Sequence, residues 1–148
     1  MKKLLLILIC LFVSFEVKSE EIYLSCKMKE KIYDSYILGK KKMDETITYY
    51  INTESGVFVT LEQLSGNKDL MNQLHKTNKR IDGSDFENDF LETEQYYKYW
   101  VSDKGTKTIE RFVSRLDGNF YEKLYSVRSE GSRGYHKEVG NCEKINKK

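Results

Sequence analysis

Proline is absent from this 148-residue chain, so glycine, asparagine, aspartate and serine must make every turn. Histidine occurs only twice, at His75 and His136, and neither stands at a triad-like spacing. No nucleophile-elbow, zincin, P-loop or dinucleotide fingerprint is present. Gly131-Ser132-Arg133-Gly134 sets a serine between glycines but lacks the strand-to-helix context of a nucleophile turn. These absences point away from catalysis, and no catalytic residue, metal ligand set or cofactor is read from the sequence. A long apolar run is missing as well. Residues 4–15 supply 12 in a row, whereas a membrane-spanning helix needs about 20.

What is there begins with Lys2 and Lys3 ahead of that short apolar stretch, the arrangement of a signal peptide. Val17 and Ser19 supply small or medium residues at the −3 and −1 positions. The expected cut therefore falls between Ser19 and Glu20 and releases one exported domain, residues 20–148. Cleavage removes Lys2, Lys3, Lys18 and Glu16, which leaves 22 basic and 22 acidic residues. A neutral chain lacks the global positive field of nucleic-acid binders, so no nucleic-acid partner is expected. Nor does a membrane span remain after cleavage. Cys10 leaves with the leader. An even pair in an oxidising compartment reads as a disulfide, here Cys26–Cys142, closing nearly the whole mature chain.

Period-2 alternation dominates the mature chain. In residues 22–33, Ile22, Leu24, Cys26 and Met28 share one face of a half-buried strand. A weaker strand is expected over 35–40, ended by Lys40-Lys41-Lys42, whose charges protect an edge. Residues 46–52 and 57–61 read as a hairpin, with Ile51 opposite Val57 and Ile47 opposite Leu61. Leu70, Met71, Leu74 and His75 recur at helical spacing within 64–80, capped by Asn67 or Ser65. Residues 82–94 carry six carboxylates and read as a long loop. Their acidic stretch Asp82–Asp89 invites a calcium reading but does not match the EF-hand spacing, so a solvated loop is expected.

Strands resume at 95–102. A three-residue turn 103–105 pairs Lys98 with Glu110 and Tyr96 with Phe112. Residues 109–127 are the clearest hairpin, with Asp117-Gly118 at its tip. A three-residue turn pairs Phe112 with Glu122 and gathers Phe112, Phe120 and Leu124 on one face. The other face then carries Tyr121, Tyr125 and Val127 beside Arg111, Arg115 and Lys123. A last strand, 135–145, contains Cys142. The sum is an all-β fold with one short helix, an antiparallel meander of about eight strands. The cysteines on the first and last strands favour a closed or partly closed barrel, with a β-sandwich as the alternative. Aromatic rings with a few guanidinium groups suit a ligand cavity, and Tyr97, Tyr99, Arg111, Arg115 and Tyr121 are the candidate lining.

The early Tyr23-Leu24-Ser25-Cys26 strand, the Arg115-Leu116-Asp117-Gly118-Asn119-Phe120 hairpin and the late Gly140-Asn141-Cys142 strand resemble small exported β-proteins of unassigned function in Gram-negative bacteria. That resemblance implies a periplasmic or secreted barrel of lipocalin or calycin type and brings no activity with it. The cysteine placement is also similar to that of periplasmic C-type lysozyme inhibitors, which implies a protein partner. The S-G-x-x-Y stretch of those inhibitors is missing, since Ser55-Gly56 continues as Val57-Phe58-Val59. The leading expectation is a non-enzymatic exported barrel that binds a small apolar or amphiphilic ligand. A structural or inhibitory module binding a periplasmic protein is second, and a hydrolase third.

Overall fold

Alternation of apolar and polar residues over β1 (Glu21–Asp34) sets Ile22, Leu24, Cys26 and Met28 on one side, and all four are buried. The computed structural model describes residues 19–34, 39–64, 66–78, 86–103, 107–127 and 133–146. The expected signal peptide lies outside them except for its final residue, Ser19.

β2 (Gly39–Asn52) and β3 (Val57–Thr60) follow β1, and then two helices, α1 (Leu61–Leu64) and α2 (Lys68–Thr77). β4 (Glu87–Glu92), β5 (Tyr96–Asp103), β6 (Lys107–Ser114), β7 (Asn119–Val127) and β8 (Arg133–Ile145) complete the chain. The eight strands form one antiparallel sheet in the order β3-β2-β1-β8-β7-β6-β5-β4, curled into a nearly closed barrel. The first and last strands are neighbours, as the cysteines implied. The sheet's two edges are β3 and β4, where the chain crosses through helices instead of a hairpin. One sheet curled on itself excludes the sandwich.

Two apolar clusters hold the sheet. Inside the barrel, Ile22, Leu24, Met28, Ile51 and Val113 pack with Tyr49, Phe58, Tyr97, Tyr99 and Phe120. Outside it, Tyr23, Tyr50, Val57, Val59 and Leu64 form a second cluster against Met71 of α2. β3 is thus covered on both faces, which is why it reads as an unbroken Val-Phe-Val run. Each large side chain so buried stabilises by about 1.5–3 kcal/mol.

The Cys26–Cys142 disulfide joins directly opposite residues of β1 and β8. The Cys142 amide donates to Gly118 O at 2.8 Å, away from β1. The cysteines therefore form a non-hydrogen-bonded pair, the position where cross-strand side chains come closest. Closing a loop with a sequence separation of 116 is worth roughly 5 kcal/mol in the chain-entropy view.

Several expectations need correction. β2 is one 14-residue strand, so residues 39–45 belong to it and not to a separate strand; residues 35–38 lie outside the described ones. The single helix becomes two, with Leu61 opening α1; Asn67 is the N-cap of α2, its side chain accepting from the Leu70 amide. Residues 87–92 are a strand, because Phe90 can turn inward to pack on the core. Asp82 and Asp85 of the calcium reading lie outside the described residues.

Registers shift as well. Ile51 faces Phe58, Lys98 faces Phe112, and Phe112 faces Tyr121, with Val113 opposite Phe120. Two four-residue turns of one design are responsible for the first and last of these. In each, the glycine amide bonds the carbonyl four residues back, Gly56 to Asn52 and Gly118 to Ser114. The side-chain oxygen of that first residue accepts from two of the three amides between. Both glycines hold the left-handed conformation, at φ 70° and 71°. A four-residue connection moves the pairing by one residue, so Phe112 and Tyr121 face outward while Val113 and Phe120 face inward.

Candidate functional site

One row of paired residues crosses the inner wall: Tyr99 on β5, Arg111 on β6, Glu122 on β7, Glu138 on β8 and Lys31 on β1. Arg111 Nε bonds Glu122 at 2.6 Å, and Lys31 Nζ bonds Glu138 at 2.6 Å. Glu122 and Glu138 are direct cross-strand neighbours, a like-charge pair tolerated because a cation flanks each side. The row reads plus, minus, minus, plus. His136 stands 3.9 Å from Glu138, and both burial and the nearby Lys31 charge lower its pKa.

Arg111 reaches across the barrel. Its guanidinium donates to the Phe58 carbonyl on edge strand β3 and to Gln63 of α1, 3.3 Å away. It also lies over the rings of Tyr49 and Tyr99, 5.5 and 5.8 Å from their centroids. Burial works against its charge, but Glu122, Tyr49 and Tyr99 leave its pKa raised. Burial raises the pKa of Tyr49 as well, and pushes that of Tyr99 to about 12. Beside them His75 of α2 bonds Met71 O and the Tyr99 hydroxyl, each at 3.0 Å. Burial, together with the Arg111 charge, lowers the His75 pKa against the Met71 bond. With Nδ1 donating to that carbonyl, Nε2 accepts from Tyr99. This row is a plug: its charges are spent on each other and on sealing the gap between β3 and β4.

The five predicted lining residues do not form one face. Tyr97, Tyr99 and Arg111 point into the barrel and are buried. Arg115 sits on the β6–β7 turn with its guanidinium 4.7 Å from the Tyr97 ring. Tyr121 is on the outer wall and bonds Glu110 at 2.8 Å. The one-residue register shift of the hairpin separates it from the others.

Tyr97 and Arg115 share a cavity of about 420 Å³ at the turn-bearing end of the barrel. Its floor is apolar, made by Ile22, Leu24, Val113 and Cys142. At its rim Arg115 bonds Glu92 at 3.2 Å and Thr93 O at 2.6 Å, and Lys144 pairs with Glu20. Tyr97 is only 6% exposed as a residue, but its hydroxyl opens on the cavity and bonds none of the described residues. Its ring is held by Phe90 at 6.3 Å on one side and Arg115 on the other. Burial raises its pKa. A larger hollow of about 840 Å³ lies between α2 and the outer face of β1 and β8, but Lys68 on its rim is tied to Glu21 at 2.8 Å.

No family model, curated protein or solved structure matches this chain. The site therefore has to be argued from its own geometry. Neither histidine lines either of these hollows. No cluster of three metal-binding side chains occurs among the described residues either. At Ser55-Gly56, Ser55 is buried and bonds Asn72 at 2.9 Å. A Cβ on Gly56 would come within 3.0 Å of Phe90. That turn is docked on its own chain and does not project.

Sequence reasoning missed Glu122, Glu138 and Lys31. Glu122 does carry a signal, a lone charge between Phe120 and Leu124 on an apolar face. Lys31 carries none, because the register shift between Met28 and Glu30 changes which residues of β1 point inward.

Proposed function

We propose that this chain is an exported, non-enzymatic β-barrel of a Gram-negative periplasm or its surroundings, and that it binds a small uncharged amphiphile in the cavity beneath Tyr97. The Cys26–Cys142 disulfide is compatible with export, since such bonds persist in oxidising compartments. The observation that carries the binding reading is the Tyr97 hydroxyl, free of protein partners and open to a cavity with an apolar floor. A free hydroxyl at the mouth of an apolar cavity offers the polar end of an amphiphile a direct partner, and one such hydrogen bond is worth about 0.5–1.5 kcal/mol net. The volume falls within the range of small-molecule sites, about 300–1,000 Å³. Arg115 and Lys144 on the rim are already paired with Glu92 and Glu20, and Asp117 is taken up by the Asn119 amide and side chain, which favours an uncharged head group.

Titration of the mature, oxidised protein with the neutral fluorophore N-phenyl-1-naphthylamine tests this reading. Saturable one-site binding is expected. Tyr97→Phe should weaken it about threefold to tenfold while leaving the melting temperature unchanged, because the hydroxyl supports nothing in the fold. No saturable binding, or binding indifferent to Tyr97→Phe, overturns it.

A further inference from the structure

The β7–β8 pair carries like charges directly opposite each other on both of its faces. Inward, Glu122 faces Glu138; outward, one residue along, Lys123 faces Lys137. Such pairs are destabilising unless neutralised. The inner pair has a cation on each side. The outer pair has a carboxylate on one side only: Glu110 bonds Lys123 at 3.1 Å, and beyond Lys137 the row continues with Ile32. Burial alone would raise the Glu110 pKa, but its bonds to Tyr121 and Lys123 hold it lowered. Among the described residues, Lys29 and Lys137 have no carboxylate partner. The outer wall therefore holds a local cationic excess on a chain that is neutral once its leader is removed.

Aromatic side chains fill the positions between these lysines. Phe112 and Tyr121 stack at 5.2 Å and 8°, with Tyr96 a further 5.2 Å from Phe112. Tyr125 and Tyr135 make the next pair, 4.9 Å apart. A groove of about 320 Å³ runs beside them, lined by Lys29, Phe112, Asn119, Tyr121, Lys137 and Val139.

We propose that this groove and the tyrosine–lysine wall around it bind an acidic polysaccharide, with its carboxylates or sulfates on Lys29, Lys123 and Lys137 and its sugar rings along the tyrosine edges. Charge complementarity selects a polyanion. The form of the wall selects among polyanions. Phe112 covers one side of Tyr121, and Lys123 and Lys137 stand 4.7 and 5.1 Å from its centroid, so a nucleobase finds no open face on the ring at the centre of the wall. Of the large exposed aliphatic side chains, Leu61 belongs to α1 and Leu116 to the β6–β7 turn, while Val127 at the end of β7 and Leu91 on β4 stand apart from one another, which is less than the continuous apolar face a lipid surface takes up. An edge of phenolic hydroxyls, ring C–H groups and ammonium donors suits a hydroxyl-rich, anionic sugar chain.

Affinity electrophoresis of the mature oxidised protein through polygalacturonate, with neutral dextran as the matched control, tests the proposal. Polygalacturonate should retard the protein and dextran should not. Lys29→Gln with Lys137→Gln should weaken retention about tenfold, with melting temperature and N-phenyl-1-naphthylamine binding unchanged. Lys76→Gln on α2, away from the wall, should leave retention within about twofold. Equal loss in Lys76→Gln, equal retention by dextran, or tighter binding to oligo(dT) or to phosphatidylglycerol vesicles overturns it.

Discussion

Arg111 shows what a single side chain can do when burial removes its alternatives. It neutralises Glu122, takes up the Phe58 carbonyl on the free edge of β3 and stacks on two tyrosines. Arg111→Met removes the cation but leaves the carboxylate and carbonyl buried, and should cost about 3–5 kcal/mol in urea unfolding. Adding Glu122→Gln should return part of that loss, since no uncompensated charge then remains. A loss below about 1 kcal/mol for the single substitution would show the pair to be solvated. His75 is the second informative residue. Its folded pKa lies below the ordinary 6.5, so the unfolded chain takes up the proton first. Stability is therefore complete above the unfolded pKa and falls as pH drops through it; His136 shifts in the same direction. The urea midpoint should decrease between about pH 7.5 and about pH 5.5, and His75→Gln should flatten the decrease. A midpoint independent of pH in that window rules the arrangement out.

At the scale of elements, the two four-residue turns decide which residues share a face. Their signature is short, an Asn or Ser followed four residues later by Gly, as in Asn52–Gly56 and Ser114–Gly118. Asp117-Gly118 is the more familiar hairpin signal and suggests a shorter loop, so the hairpin itself was legible while its register was not. Gly118 is bound twice over. Its φ is 71°, and a Cβ there would meet the Cys142 carbonyl oxygen at 2.1 Å. Asn141 also bonds the Asp117 carbonyl at 2.9 Å, so the turn is stitched to β8 beside the disulfide. Gly118→Val should cost about 2–4 kcal/mol, from backbone strain plus the lost approach to Cys142. An unchanged melting temperature would contradict the turn geometry. β4 shows the opposite failure of reading. Four carboxylates or amides in six residues, Glu87, Asn88, Asp89 and Glu92, hide a strand whose inward anchor is Phe90.

For the whole molecule, legibility followed the range of the interaction. Local alternation exposed most strands, and two cysteines were enough to place β1 beside β8. The inner charge row was not readable, because five residues scattered from Lys31 to Glu138 meet only when register and bulge are both known. The position of the gap was equally hidden. It falls between β3 and β4, while the ends of the described chain meet elsewhere, with Glu20 paired to Lys144 and Tyr23 opposite Ile145. The ring of strands and the chain that forms it are therefore cut at different places. A chain joined at its present ends and reopened between β3 and β4 would run β4-β5-β6-β7-β8-β1-β2-β3, each strand beside its sequence neighbour. That permuted order carries fewer long-range contacts and, by the dependence of folding rate on contact order, is the faster-folding arrangement of the same barrel. The natural order instead puts its longest-range pairing, β1 with β8, where the disulfide crosses the sheet.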